Sequence, residues 1–193
     1  SDSQIRRRIR ESVQGLGLMQ IQSLTLSNDF DQFEAMRWPA MGDVTRITNP
    51  ITIEHTLLRQ YLLPGLFRLM ASNRHHDLPQ AVYELGTVVR NHSNGDRFAF
   101  LVAEQSGGFA AVRGRIQALM RDLGAAEYSI EPLGGKMGPW LAGRCAKVIV
   151  NGEHVGCFGE MDPAVSALYE LKVPLNGAEF DIQALQSVLP DPV

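Results

Sequence analysis

Residues 146–158 read Ala-Lys-Val-Ile-Val-Asn-Gly-Glu-His-Val-Gly-Cys-Phe. The runs 146–150 and 154–158 are strand formers, and Asn151-Gly152 between them suits the two left-handed positions of a tight hairpin. This pair predicts antiparallel strands, and the segments on either side extend the pattern. Downstream, Pro163 stands where a helix would start, followed by a strand through Phe180 and a short terminal helix. Upstream, 109–123 places Val112, Ile116, Leu119, Met120 and Leu123 on one helical face, with Gly124 as its stop. Residues 81–89 and 98–103 predict a second antiparallel pair around a turn at Asn94-Gly95. The stretch 56–73 predicts a helix apolar on several sides, broken or kinked at Pro64-Gly65. Asn28 or Asp29 can cap a short helix carrying Phe30, Phe33 and Met36. Residues 20–26 alternate with period two and predict a half-buried strand. Ile5, Ile9, Val13 and Leu16 form one helical stripe, closed by Gly15 and Gly17. Hairpin-linked strands with intervening helices predict one α+β domain over residues 1–193, a mostly antiparallel sheet flanked by helices.

The chain has 193 residues, 45% hydrophobic and 20% charged, which is enough to bury a core without a disulfide or metal. A net charge of −3 excludes general polyanion binding by bulk charge. No run approaches the ~20 apolar residues of a bilayer span, so no membrane partner is expected. The opening Ser-Asp-Ser-Gln-Ile-Arg-Arg-Arg has no apolar segment after it of the kind a signal peptide carries. Cys145 and Cys157 form neither a CxxC pair nor a metal cluster, which fits a reducing, cytoplasmic compartment. The helical pattern begins almost at once and no Met opens the chain, so a domain of a longer protein is expected.

Several clusters invite chemistry, and each has a plainer reading. Arg6, Arg7, Arg8 and Arg10 could touch phosphates, but Glu11 offers Arg7 an i+4 partner on a solvated helix face. His75 and His76 are adjacent, so their side chains diverge and lack the i, i+4 spacing of a zinc helix. Gly107-Gly108 and Gly134-Gly135-Lys136 match neither phosphate-loop pattern and read as turns or caps. Glu160 and Asp162 could hold Mg²⁺, or could serve the strand-to-helix turn before Pro163.

A longer ordered set of segments carries more information. It comprises Thr48-Asn49-Pro50-Ile51, Leu58-Arg59-Gln60-Tyr61-Leu62-Leu63-Pro64-Gly65-Leu66, Tyr83-Glu84-Leu85-Gly86, Gly108-Phe109 and Gly114-Arg115-Ile116. It continues through Gly143-Arg144-Cys145-Ala146, Asn151-Gly152-Glu153, the run from Gly156 to Pro163, and Glu179-Phe180-Asp181-Ile182. In this order and at these intervals the chain resembles the carboxy-terminal synthetase-like domain of the phenylalanine–tRNA ligase β-subunit family, in its archaeal and eukaryotic cytosolic form.

That resemblance implies a class II aminoacyl-tRNA synthetase core without catalysis of its own. It implies a catalytic α subunit as partner, a second αβ unit completing a heterotetramer, and tRNA met through the assembled enzyme. No cofactor is implied for this domain; ATP and Mg²⁺ belong to the whole enzyme, and the editing site and B5 region to other domains. A class II site needs an Arg on its second-motif strand and an Arg in its third motif, each facing a negative nucleotide. Arg90 is the one second-motif candidate, and Asn91-His92 follow it where an acid is usual. The third-motif position reads Gly177-Ala178-Glu179-Phe180-Asp181-Ile182, with acids and no Arg. Residues 4–26 match the first motif, without its usual Pro. The implied interface comprises Ile5, Ile9, Val13 and Leu16 on that helix and Leu58, Tyr61, Leu62, Leu66 and Phe67 beyond it, and the isolated domain is expected either to self-associate through that helix or to expose an apolar patch. Two other readings stay open here: a stand-alone enzyme that activates an amino acid, and a tRNA-contact module using Arg6–Arg10.

Overall fold

Asn151 (φ 50°) and Gly152 (φ 84°) both take the left-handed conformation, so β7 (Trp140–Val150) turns directly into β8 (Glu153–Met161) with Val150 opposite Glu153. The chain is described by a computed structural model over residues 2–134 and 137–190. The remaining strands of the main sheet are β1 (Met19–Gln20), β4 (Gln80–Arg90), β5 (Ser93–Ala103), β6 (Tyr128–Pro132) and β9 (Leu175–Asp181). Their order is β1-β4-β5-β9-β8-β7-β6, and among these pairings only β1–β4 is parallel. The expected α+β class and mostly antiparallel sheet are what the chain adopts.

Two helical layers cover the sheet. On one face lie α1 (Asp2–Gly15), α3 (Gly108–Asp122) and α5 (Ile182–Val188), packed around Phe98, Phe100, Phe158 and Phe180. The α3 helix ends as its sequence dictates: Gly124 takes φ 75°, and Ala125 N–H donates back to the Met120 carbonyl at 2.9 Å. On the other face lie α2 (Leu63–Ser72), α4 (Pro163–Leu168) and the π-helical turn Phe30–Glu34, around Leu62, Leu66, Phe67 and Met70. Asn28 Oδ1 accepts from Asp31 N at 2.8 Å and so caps that turn.

Three expectations are corrected. The second hairpin turns at Asn91-His92 (φ 52° and 60°), not at Asn94-Gly95, which lie within β5 opposite Val89 and Val88. The neighbouring loop fixes this register, because Asn91 exchanges hydrogen bonds with Asp43 and Thr45 Oγ1 lies 2.7 Å from His92 Nδ1. The strand expected over 20–26 is split. After β1 the chain leaves the sheet where Ser23 bonds the Glu84 carboxylate, and it pairs again only as β2 (Leu26–Ser27) with β3 (Leu57–Leu58) in a separate small sheet. The helix expected over 56–73 starts only at Leu63. Pro64 sits in its first turn, where a missing N–H costs nothing, and the Leu62 and Leu63 N–H groups go to a distant carboxylate. Among the described residues, no helix is long and apolar enough to cross a membrane.

Candidate functional site

Strand alternation decides which charged groups meet. Opposite residues in the ladder β4–β5–β9–β8 share a face, so Arg90, Arg97, Glu179 and Cys157 all point toward the α2 side of the sheet. There Glu179, with no solvent exposure, accepts from Leu62 N at 3.0 Å, Leu63 N at 2.8 Å and Arg97 Nε at 2.6 Å. Burial works against the Arg97 charge, but the adjacent carboxylate outweighs it and raises the guanidinium pKa above the ordinary arginine value.

Tyr61 covers this pair. Its hydroxyl donates to the Pro39 carbonyl at 2.7 Å, and burial pushes its pKa up to about 12. Trp38 stacks on its ring at a centroid distance of 4.2 Å, and Trp140 meets Trp38 edge-on at 6.3 Å. The Arg90 and Arg97 guanidinium carbons lie 4.8 and 5.8 Å from the Tyr61 ring centroid. Arg90 also donates twice to the Gln60 carbonyl, at 3.1 and 2.8 Å, while burial and then the charge of Arg97 lower its pKa. Gln32 Oε1 in turn accepts from both Gln60 N and Tyr61 N, which holds this segment against the sheet. This face of the sheet is therefore covered by the chain's own aromatic and charged groups. An incoming phosphate would have to displace the Glu179 carboxylate to reach Arg97, and the Gln60 carbonyl to reach Arg90.

A second buried pair braces the entrance to this segment. Arg59 and Glu84 meet at 3.0 Å with side chains 7% and 1% exposed, and Ser23 Oγ bonds both. Nearby, a groove of about 740 Å³ opens between residues 22–28 and the face of α2 that carries Pro64, Arg68 and Leu69.

The other sequence candidates are placed as follows. Ile5, Ile9 and Val13 are buried within the chain's own core, and Tyr61, Leu62, Leu66 and Phe67 are buried under α2. Of the expected interface, the α1 residues pack against α3 and α5, and those at 61–67 lie on the opposite face of the sheet. Of that set only Leu16 is exposed, and Leu58 is half-buried. Arg6 pairs with Asp96 and Arg7 with Glu11. His75 and His76 are exposed just after α2. Gly107 and Gly108 take positive φ and open α3. Glu160 pairs with Arg144 at 3.1 Å, and Asp162 accepts from Ala164 N and pairs with Arg37. The Gly134-Gly135-Lys136 turn lies partly outside the described residues. Sequence reasoning passed over Arg97 and took Arg59 only as part of a longer segment; a charged residue next to apolar runs was the available signal for both.

Fold and site together define an α+β sheet domain with a buried Arg97–Glu179 pair on its central strands, covered by its own Tyr61 and Trp38. The family model described as phenylalanyl tRNA synthetase beta chain CLM domain matches residues 1–182, and the chain belongs to that family. It is 32% identical over 186 residues to the phenylalanine–tRNA ligase beta subunit of Methanopyrus kandleri, covering 93% of this chain and 31% of the relative. The corresponding subunit of Archaeoglobus fulgidus is 35% identical over 182 residues, covering 93% of this chain and 33% of the relative. That of Methanothrix thermoacetophila is 34% identical over 174 residues, covering 90% and 32%. The chain thus spans about a third of the length of the curated relatives it matches.

Proposed function

We propose that this domain is a class II synthetase-like core that has lost catalysis and serves as a structural part of a phenylalanine–tRNA ligase β subunit. In this reading it docks with a catalytic α subunit, two αβ units assemble, and the enzyme charges tRNA(Phe) with phenylalanine in the cytoplasm. ATP and Mg²⁺ act on the α subunit, and tRNA is met by the assembled enzyme. The observation that carries the reading is the occupied central face of the sheet. Arg90, the sequence candidate for holding a nucleotide, is committed to the Gln60 carbonyl and the Tyr61 ring, and a buried glutamate stands at the third-motif position. With Ile5, Ile9 and Val13 buried, docking falls to the exposed apolar residues that follow them: Leu16, Met19, Leu24 and Leu26.

The test is ATP–pyrophosphate exchange with phenylalanine, measured for this chain alone, alongside co-purification with a catalytic α subunit. The expected outcome is no exchange by the chain alone and a stable complex with the partner. A robust exchange rate from the chain alone overturns the reading.

A further inference from the structure

Glu179 occupies an unusual place for an acid. It lies in β9, flanked across the sheet by Ala99 on β5 and Cys157 on β8, with no solvent exposure. A carboxylate so buried is tolerated only where donors converge on it. Here Leu62 N reaches both oxygens, Leu63 N reaches one, and Arg97 Nε reaches the other, all at 2.6 to 3.0 Å. The two amides open the ten-residue helix α2, whose N-terminal dipole favours negative charge. The Arg97 side chain is itself only 13% exposed, so its charge has little water to turn to. Arg90 adds a second guanidinium over the same tyrosine ring.

We propose that Glu179 is a built-in ligand: its carboxylate occupies an oxyanion site formed by the Leu62 and Leu63 amides and the Arg97 guanidinium, and the site emptied of it binds a small free carboxylate. The match in size is chemical. Glu179→Ala removes the Cγ methylene, the carboxyl carbon and two oxygens, which is the skeleton of acetate. A larger acid exceeds the space vacated and binds less well, and chloride, a single atom without oxygens, cannot bridge amide and guanidinium as a carboxylate does. The inference does not rest on the synthetase reading, since it concerns the site and not its ancestry.

Thermal unfolding of the chain with E179A, followed at constant ionic strength as acetate replaces chloride up to ~200 mM, tests it. The melting temperature of E179A rises saturably by about 3–6 °C in acetate, less in propionate, while the parent chain does not respond. E179Q, whose amide still fills the space, folds with a lower melting temperature and shows no acetate response. If E179A is unfolded in chloride, the same site is read as acetate-dependent recovery of the folded near-ultraviolet signal. An acetate effect no larger than that of chloride by either measure overturns the proposal, as does an E179Q variant as stable as the parent. Pyrophosphate exchange is a separate readout, so failure here and failure of the proposed function are distinguishable.

Discussion

Arg59 shows how much one side chain can hold. Besides its pair with Glu84, it donates through Nε to the Thr87 carbonyl at 2.9 Å and through Nη1 to Ser23. It thereby joins the segment before α2 to β4 and to the chain leaving β1. Truncating one partner of a buried pair leaves the other charge unmatched, so Arg59→Met should cost about 3–5 kcal/mol, measured by urea unfolding. Removing both charges, as Arg59→Met with Glu84→Leu, should recover most of that loss; equal losses in the single and double variants would refute the assignment. None of this was legible locally, because Arg59 and Glu84 are 25 residues apart, and Arg97 and Glu179 are 82 apart. The sequence marked 58–66 as a signature and Glu179 as an acid out of place. Which partner each group takes is a tertiary fact.

Among the elements, legibility followed the range of the forces involved. The β7–β8 hairpin, the α3 stop and the Pro163 helix start are set by neighbours in sequence, and each forms where local chemistry puts it. The late start of α2 and the split of 20–26 depend on Glu179 and Glu84, which no window around those segments contains. An amphipathic stripe states that a face is covered without stating by what; within this chain α3 and α5 pack against α1. Close strand packing gives a sharper expectation. A Cβ at Gly159 would lie 2.5 Å from the Arg144 carbonyl oxygen and 2.7 Å from Cys145 Cα, whereas at Gly114 on α3 nothing lies within 4 Å. Gly159→Ala should therefore destabilise by about 1–3 kcal/mol. Gly114→Ala should stabilise by about 0.5–1 kcal/mol through helix propensity. Thermal melts of the two variants should move in opposite directions.

At the scale of the molecule, titrating groups bound the pH range of the fold. The Arg46 hydrogen bond holds the Asp29 carboxyl below its ordinary value; Arg115 does the same for Glu104, and the Ala164 amide, then Arg37, for Asp162. Depressed folded values mean that these contributions are complete above the unfolded pKa near ~4 and are lost as pH falls through the lower folded values. At the other end, burial pushes the Cys157 thiol and the Tyr61 hydroxyl each up to about 12, and raises Tyr169. Here the fold favours the protonated form, so stability is full below the unfolded values, ~8.5 for a thiol and ~10 for a phenol, and declines as pH rises toward the folded ones. The melting temperature should form a plateau from about pH 5 to 8 and fall on both sides. Cys157→Ala should flatten the limb between about pH 8.5 and 10, and an unchanged limb in that variant would refute the assignment.

The chain has two tryptophans, and both lie in the aromatic stack beside Tyr61. Indole emission depends on its immediate surroundings, so the domain carries an optical gauge read out at a single spot. Light from these rings reports whether the segment before α2 stays seated on the sheet.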